Sequence, residues 1–206
     1  MADGIPVTRI EVPLSRVNAI RAAVRAVTHL GDTADASRLV RADDATAFLE
    51  FLSDPVVHAP IYTLPRPLTE ASVRAFIADH MAQHAAGEGM LFMRDDPHGR
   101  ILGYSDIQVW PHWAAGELGG ALHPSLHHQG KGTRGAEQSF AWMFETLHLD
   151  VICETASLEN KPTHRMLDAL GFTRKGQVES MRPDGTPRAS LVWEITQTDW
   201  FRLHPA

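Results

Sequence analysis

Hydrophobic spacing along the 206-residue chain alternates between a helical period and a strand period, which predicts a mixed α/β fold. The first third reads mostly as helix. Three short apolar runs between residues 90 and 122 are then separated by turn signals, the pattern of an antiparallel meander. Finally, the glycine-rich turn Gly130-Lys131-Gly132 leads from the last of those runs into an apolar-periodic helix, and another apolar strand follows it. That makes one strand–helix–strand crossover.

In chain order, residues 6–13 (Pro-Val-Thr-Arg-Ile-Glu-Val-Pro) read as a short strand. Ser15 reads as the N-cap of a helix with Val17, Ile20, Val24 and Val27 on one face, stopped by Gly31. Gly-Asp-Thr-Ala-Asp (31–35) is linker in character, and Leu39 and Val40 form a short strand. A helix runs from Asp43 or Asp44 to Leu52 and ends at Ser-Asp-Pro. Thr69 caps a longer helix carrying Val73, Phe76, Ile77 and Met81, which ends near Gly87.

The meander strands are Met90–Met93, Ile101–Val109 and Leu118–Leu122, with Pro-His-Gly and Pro-His-Trp-Ala-Ala-Gly at the turns. In the helix after the glycine turn, Ala136, Phe140, Met143, Phe144 and Leu147 recur at helical spacing. Val151–Thr155 is a fifth strand, and Thr163–Leu170 a short helix closed by Gly171. Val178–Met181 and Ser190–Ile195 flank Arg-Pro-Asp-Gly, a tight hairpin turn.

Bulk properties narrow the function. The chain is 44% hydrophobic and 21% charged, ordinary values for a soluble globular protein. The net charge is −6 and no basic run is present, which argues against nucleic acid as a partner. Cys153 is the single cysteine, so neither an intrachain disulfide nor a thiolate cluster forms. The start lacks a signal-peptide pattern and no apolar stretch is of bilayer length, so a cytoplasmic protein with no membrane contact is expected. Twelve histidines include His123, His127 and His128 close together. Pro124 prevents a helix that would set them on one face, and no Asp, Glu or Cys completes the set, so no metal is expected.

A strand, a glycine turn and a helix start offer free main-chain N–H groups and the positive end of a helix, which suits a phosphate-bearing ligand. The spacing is not that of a P-loop. Gly130, Gly132 and Gly135 do satisfy Gly-x-Gly-x-x-Gly, but a dinucleotide fold needs repeated βαβ units, and here a meander precedes and no second unit follows.

From Glu117 to Phe172 the chain resembles the GNAT superfamily of acyl-coenzyme A-dependent N-acetyltransferases. The family signature Arg/Gln-x-x-Gly-x-Gly/Ala, between the fourth strand and third helix, reads His127-His128-Gln129-Gly130-Lys131-Gly132, with His127 in place of Arg or Gln. Glu117-Leu-Gly-Gly-Ala-Leu-His-Pro124 is similar to the fourth strand. Asn160–Phe172 resembles the Asn-x-x-Ser-x-x-x-Leu-x-x-x-Gly-Phe helix. The closing hairpin and Ser37–Pro55 resemble the ribosomal-protein N-terminal acetyltransferase branch. The resemblance spans residues 36–200 and leaves 1–35 as an N-terminal extension of a short strand and a helix. It implies a central, mostly antiparallel twisted sheet flanked by helices, with the family's fourth and fifth strands splayed into a cofactor cleft.

It also implies acetyl-CoA as co-substrate and assigns roles. Leu122 and His123 flank the pantetheine arm, and the amides of His128, Gln129, Gly130, Lys131, Gly132 and Thr133 take the pyrophosphate. Asn160 matches a residue that contacts the arm, although a polar residue opening a helix also reads as an N-cap. Thr163 aligns with a Ser that serves some relatives as general acid; read alone, it is a first-turn helix residue. The tyrosine that many relatives place in this helix is absent, since only Tyr62 and Tyr104 occur.

For the base, strand alternation puts Glu117 on one face with Gly119 and Ala121, opposite Leu118 and Leu122, where a carboxylate beside two small residues looks into an acceptor pocket or into solvent. Glu154 on the adjacent strand is the runner-up.

The expected reaction is acetyl transfer to a primary amine, of a small molecule or a protein N-terminus, by direct attack in a ternary complex. The rival reading is a catalytically inactive CoA-binding regulatory module, favoured if neither carboxylate faces the strand gap. The apolar stripe of the N-terminal helix needs a cover, either its own domain or a second subunit of a homodimer.

Overall fold

The structure is a computed structural model that describes residues 5–31, 37–127 and 130–205. Eight strands form one sheet: β1 (His29–Leu30), β2 (Ser37–Leu39), β3 (Gly89–Asp95), β4 (Ile101–Trp110), β5 (Ala115–Leu122), β6 (Val151–Ser157), β7 (Thr173–Met181) and β8 (Pro187–Thr196). Their order is β1-β2-β3-β4-β5-β6-β8-β7. Every neighbouring pair is antiparallel except β5–β6. The helices are α1 (Leu14–Ala26), α2 (Ala45–Leu52), α3 (Pro55–His58), α4 (Glu70–Ala86), α5 (Lys131–Leu147), α6 (Lys161–Ala169) and α7 (Gln197–Leu203). Among the described residues no helix is long and apolar enough to cross a membrane.

Strand alternation divides the core in two. Met90 and Phe92 of β3 face one way, with Ile107 and Val109 of β4, and are covered by α1, α5, α6 and α7. Leu91 and Met93 face the other way with Tyr104, under α2, α3 and α4. The expected stripe of α5 is buried as Phe140, Met143, Phe144 and Leu147. Each such side chain contributes roughly 1.5–3 kcal/mol by leaving water. Val17, Ile20 and Val24 of α1 join the same core, so the stripe of the N-terminal helix is covered by its own chain.

Several local expectations need correction. Residues 6–13 form no strand, because the buried Glu194 carboxylate on β8 captures the N–H groups of Val7 and Thr8 at 2.7 and 2.8 Å and the Thr8 hydroxyl at 2.6 Å. Helix α1 starts at Leu14 behind Pro13, so Ser15 lies in its first turn instead of capping it. It ends at Ala26, before Gly31, and β1 intervenes. Met81 is exposed, while His80 takes the buried position on α4. The terminal helix α7, capped by Thr196 through the Asp199 N–H at 3.1 Å, was not anticipated.

The β5–β6 junction positions the site. The two strands pair only through Ala115 with Val151 and Gly116 with Ile152. Beyond that point β6 continues alongside β8, β5 continues alongside β4, and they part. The cleft between the family's fourth and fifth strands, expected from the resemblance, is this opening.

Candidate active site

A cavity of about 1120 Å³ occupies the opening. Its wall includes Glu117, Gly119 and Thr155, on the sheet face beneath α4, and Leu118 and Glu154, on the face beneath α5. The cavity therefore passes through the sheet.

On the α5 face, β6 offers β5 no main-chain partner after Gly116. Two side chains substitute at either end of the gap. The Leu118 N–H donates to Glu154 Oε1 at 2.8 Å, and His127 Nε2 lies 2.9 Å from the Leu122 carbonyl. The stretch of β5 between them borders the cavity through Gly119, Gly120 and Ala121.

Helix α5 begins after Gly130, whose φ of 69° is a left-handed conformation that other residues adopt only with strain. Gly132 and Gly135 face the cavity. A Cβ on Gly132 would meet nothing closer than Leu122 Cδ1 at 4.0 Å, and one on Gly135 nothing within 4 Å, so both keep space open in front of the first helical amides. This free volume, beside an open strand edge and a helix start, fits an elongated phosphate-bearing ligand.

Of the residues expected to hold the cofactor, Leu122, Gly132 and Asn160 line the cavity, as do Glu117, Glu154 and Thr163 from the catalytic set. Among the described residues His123, Gly130 and Thr133 lie outside its wall. The His123 ring accepts the Ser125 N–H at 3.2 Å and caps the short turn Pro124–Leu126. His128 and Gln129 lie outside the described residues, as does the side chain of Lys131. Asn160 is the N-cap of α6, its Oδ1 accepting the Thr163 N–H at 3.3 Å, and the residue also borders the cavity.

The two carboxyl groups differ. Glu117 accepts a hydrogen bond from Thr155 Oγ1 at 2.8 Å. Burial pushes its pKa up to about 7; the Asp106 charge adds to the rise, while the Thr155 hydrogen bond and Arg188 oppose it. Burial holds Glu154 well above the usual carboxylate range, with the Glu117 charge adding. It bridges the gap instead of facing the α4 side.

The α4 face brings together residues that the sequence reading did not single out. His80 is nearly buried, with Nδ1 2.8 Å from the Phe76 carbonyl and Nε2 3.1 Å from Asp106 Oδ1. Burial works against the charged imidazole, but the Asp106 carboxylate outweighs it and its pKa is raised. Acceptor oxygens therefore face both ring nitrogens of His80, with Asp106 at Nε2. Tyr62 is hydrogen-bonded to Thr155, and burial raises its phenol above the ordinary range. Arg188 on β8 is 9% exposed and stacks over the Tyr62 ring at 3.9 Å. Its Nε donates to Ser190 Oγ at 3.0 Å and its Nη1 to the Pro60 carbonyl at 3.4 Å, while Nη2 is buried with no partner. One signal was available: Asp106 is the single charged residue of the strand Ile101–Trp110. Tyr62 and Arg188 sit where no periodicity marks them.

Residues 37–173 match the sequence profile of the acetyltransferase (GNAT) domain. No curated protein matches the chain. Solved structures with the same fold include the ribosomal-protein-S5-alanine acetyltransferase of Vibrio fischeri, 18% identical with a TM-score of 0.68, covering 84% of this chain and 99% of that one. Mycobacterium smegmatis RimJ in complex with CoA-disulfide is 21% identical with a TM-score of 0.67, covering 79% and 82%. A putative ribosomal-protein-serine acetyltransferase of Vibrio cholerae is 18% identical with a TM-score of 0.68, covering 82% and 99%.

Proposed function

The chain belongs to the GNAT acetyltransferase family, and from that premise we propose that it transfers the acetyl group of acetyl-CoA to a primary amine by direct attack in a ternary complex. The acceptor is a small molecule or a protein N-terminus. The observation that carries this reading is Glu117, a carboxyl with a pKa near 7 in the wall of the cavity between parted strands.

Acetyl-CoA supplies an acetyl group already activated as a thioester, so the protein has to position groups and move protons. The open edge of β5 up to Leu122 and the amides at the start of α5 hold the arm and the pyrophosphate, with Gly132 and Gly135 leaving them room. Asn160 borders the arm while capping α6.

Glu117 takes the proton of the incoming ammonium. A base whose pKa lies near the working pH is ionised in large part and still accepts a proton readily. The Thr155 hydroxyl holds Oε1, which fixes the carboxylate and leaves Oε2 for the acceptor. Glu154 lies on the α5 face, accepts the Leu118 N–H and serves as the strut of the gap. Thr163, in the first turn of α6, gives a proton to the leaving thiolate and regains one from the acceptor nitrogen or water as the amide forms. An inactive CoA-binding module needs no ionisable carboxyl at the gap, and both Glu117 and Glu154 are there.

The test is thiol release from acetyl-CoA against a panel of amines, amino acids and peptides, with the product identified by mass. Turnover of at least one class with an N-acetyl product supports the reading. Tight CoA binding without turnover of any acceptor would replace it with the binding module.

A further inference from the structure

The acetyl-transfer reading gives no task to the most buried arginine of the cavity wall. Arg188 lines the same cavity as Glu117 and is more than nine-tenths buried. Among the described residues no carboxylate forms an ion pair with its guanidinium, and Nη2 has neither a protein partner nor contact with solvent. A buried arginine is normally held by a carboxylate or phosphate, whose oxygens match the guanidinium fork. Here the fork is held at its edges by Ser190 and Pro60 and from one face by Tyr62.

Asp106 Oδ1 lies 3.1 Å from His80 Nε2. Glu154 is bonded to the main chain of β5 on the opposite face. Asp79, Arg94 and Arg182 also border the cavity, and Arg188 is the cation close enough to Glu117 for each to feel the other's field. The surface around them is largely apolar, from Ile5, Ile61, Phe76 and Trp110. The segment over Arg188, residues 59–69, contains no helix or strand, so a ligand meets only irregular backbone there.

We propose that Arg188 binds a carboxylate of the acceptor whose amine lies at Glu117, so that the substrate class is an amino carboxylate, a zwitterion of the amino-acid type with an apolar side chain. This rests on the acetyl-transfer reading and narrows its acceptor. A peptide N-terminus presents only a neutral carbonyl near its amine and leaves the buried cation unneutralised, which disfavours it here.

The experiment compares phenylalanine, phenylalanine amide and phenethylamine as acceptors, with wild type, Arg188→Met and Arg188→Lys. Wild type should favour phenylalanine over the other two by about 10²-fold in kcat/KM, the scale of a buried charge pair lost on one side. Arg188→Met should remove that preference, lowering phenylalanine to the level of phenethylamine while phenethylamine and the KM for acetyl-CoA stay within a few-fold. Arg188→Lys should restore part of it. Equal use of phenylalanine and its amide by wild type, or an equal loss for all three acceptors in Arg188→Met, would overturn the proposal.

Calorimetric binding of N-acetylphenylalanine and N-acetylphenethylamine separates this idea from the one beneath it. If no amine is acetylated, acetyl transfer fails, but selective binding of the carboxylate, lost in Arg188→Met, would still support Arg188 as its site. Equal binding of both compounds would refute it.

Discussion

At its first residues β5 pairs with β6, and a Cβ on Gly116 would come within 2.7 Å of Leu149 Cδ1 and 2.9 Å of Met143 Cε. At its far end the same strand runs beside Gly132, where an added Cβ meets only Leu122 Cδ1, at 4.0 Å. Both positions need glycine, one because the protein fills the space and the other because it does not. The polar groups follow the same division. At the paired end main chain bonds main chain and the flanking Val151 and Ile152 are buried and apolar. At the parted end side chains stand in for the missing strand, and the carboxyl groups there have displaced pKa values. Clustered pKa perturbation beside unfilled volume is how function is distinguished from packing within one strand.

The comparison breaks most visibly at Glu117. Glu117→Gln should lower kcat by about 10²–10⁴-fold, the usual weight of a general base. The KM for acetyl-CoA should barely move. A variant within about twofold of wild type, far below that weight, would remove Glu117 from the reaction.

The glycines sharpen it next. Gly132→Val should raise the KM for acetyl-CoA by about tenfold to a hundredfold, or roughly 1.4–2.8 kcal/mol of binding, without lowering the melting temperature. Gly116→Val should do the reverse: overpacking costs about 1–3 kcal/mol, or roughly 3–9 °C in a chain of this size, with the KM for acetyl-CoA unchanged in the folded fraction. Steady-state kinetics and thermal melts of the pair decide. Identical behaviour of the two variants would erase the distinction between the ends.

Glu154 gives a subtler contrast. Glu154→Gln keeps an acceptor for the Leu118 N–H, so activity should stay within a few-fold. Glu154→Leu strands that N–H and should cost about 1–3 kcal/mol in a denaturant melt.

The smallest effect concerns stability against pH. Burial raises the folded-state pKa of Glu117 from an ordinary 4.5 to about 7. Between those values the native state binds the extra proton, so stability falls as pH rises through the window, by up to about 1.4 kcal/mol per unit. Glu117→Gln should flatten that slope and melt higher than wild type at pH 8. Parallel stability curves for the two proteins would contradict the raised value.

The long periodic elements were legible because burial enforces their pattern: α4, α5 and the strands from β3 to β6 all follow apolar spacing. Failures occur where a single polar contact overrides it. Glu194 draws residues 7 and 8 out of any strand pairing, and on α4 both residue 80 and residue 81 continue the stripe after Ile77. Asp106 settles that choice for His80, a tertiary partner invisible in one segment. Glu117 was legible because its face of the strand carries two small residues, Gly119 and Ala121. Arg188 and Tyr62 were not, since they meet only once the hairpin and the irregular stretch 59–69 are folded together.

The central claim is that the carboxyl at the parted strands is the group whose ionisation sets the rate. The direct measurement is kcat for acetyl transfer from pH 5 to 9, in wild type and in Glu117→Gln, with a saturating acceptor. Wild type should rise with pH through about 7 as Glu117 loses its proton and then level off. The variant should be slow and lack that limb. The same limb in a folded Glu117→Gln protein would assign the titration to another group and contradict the account.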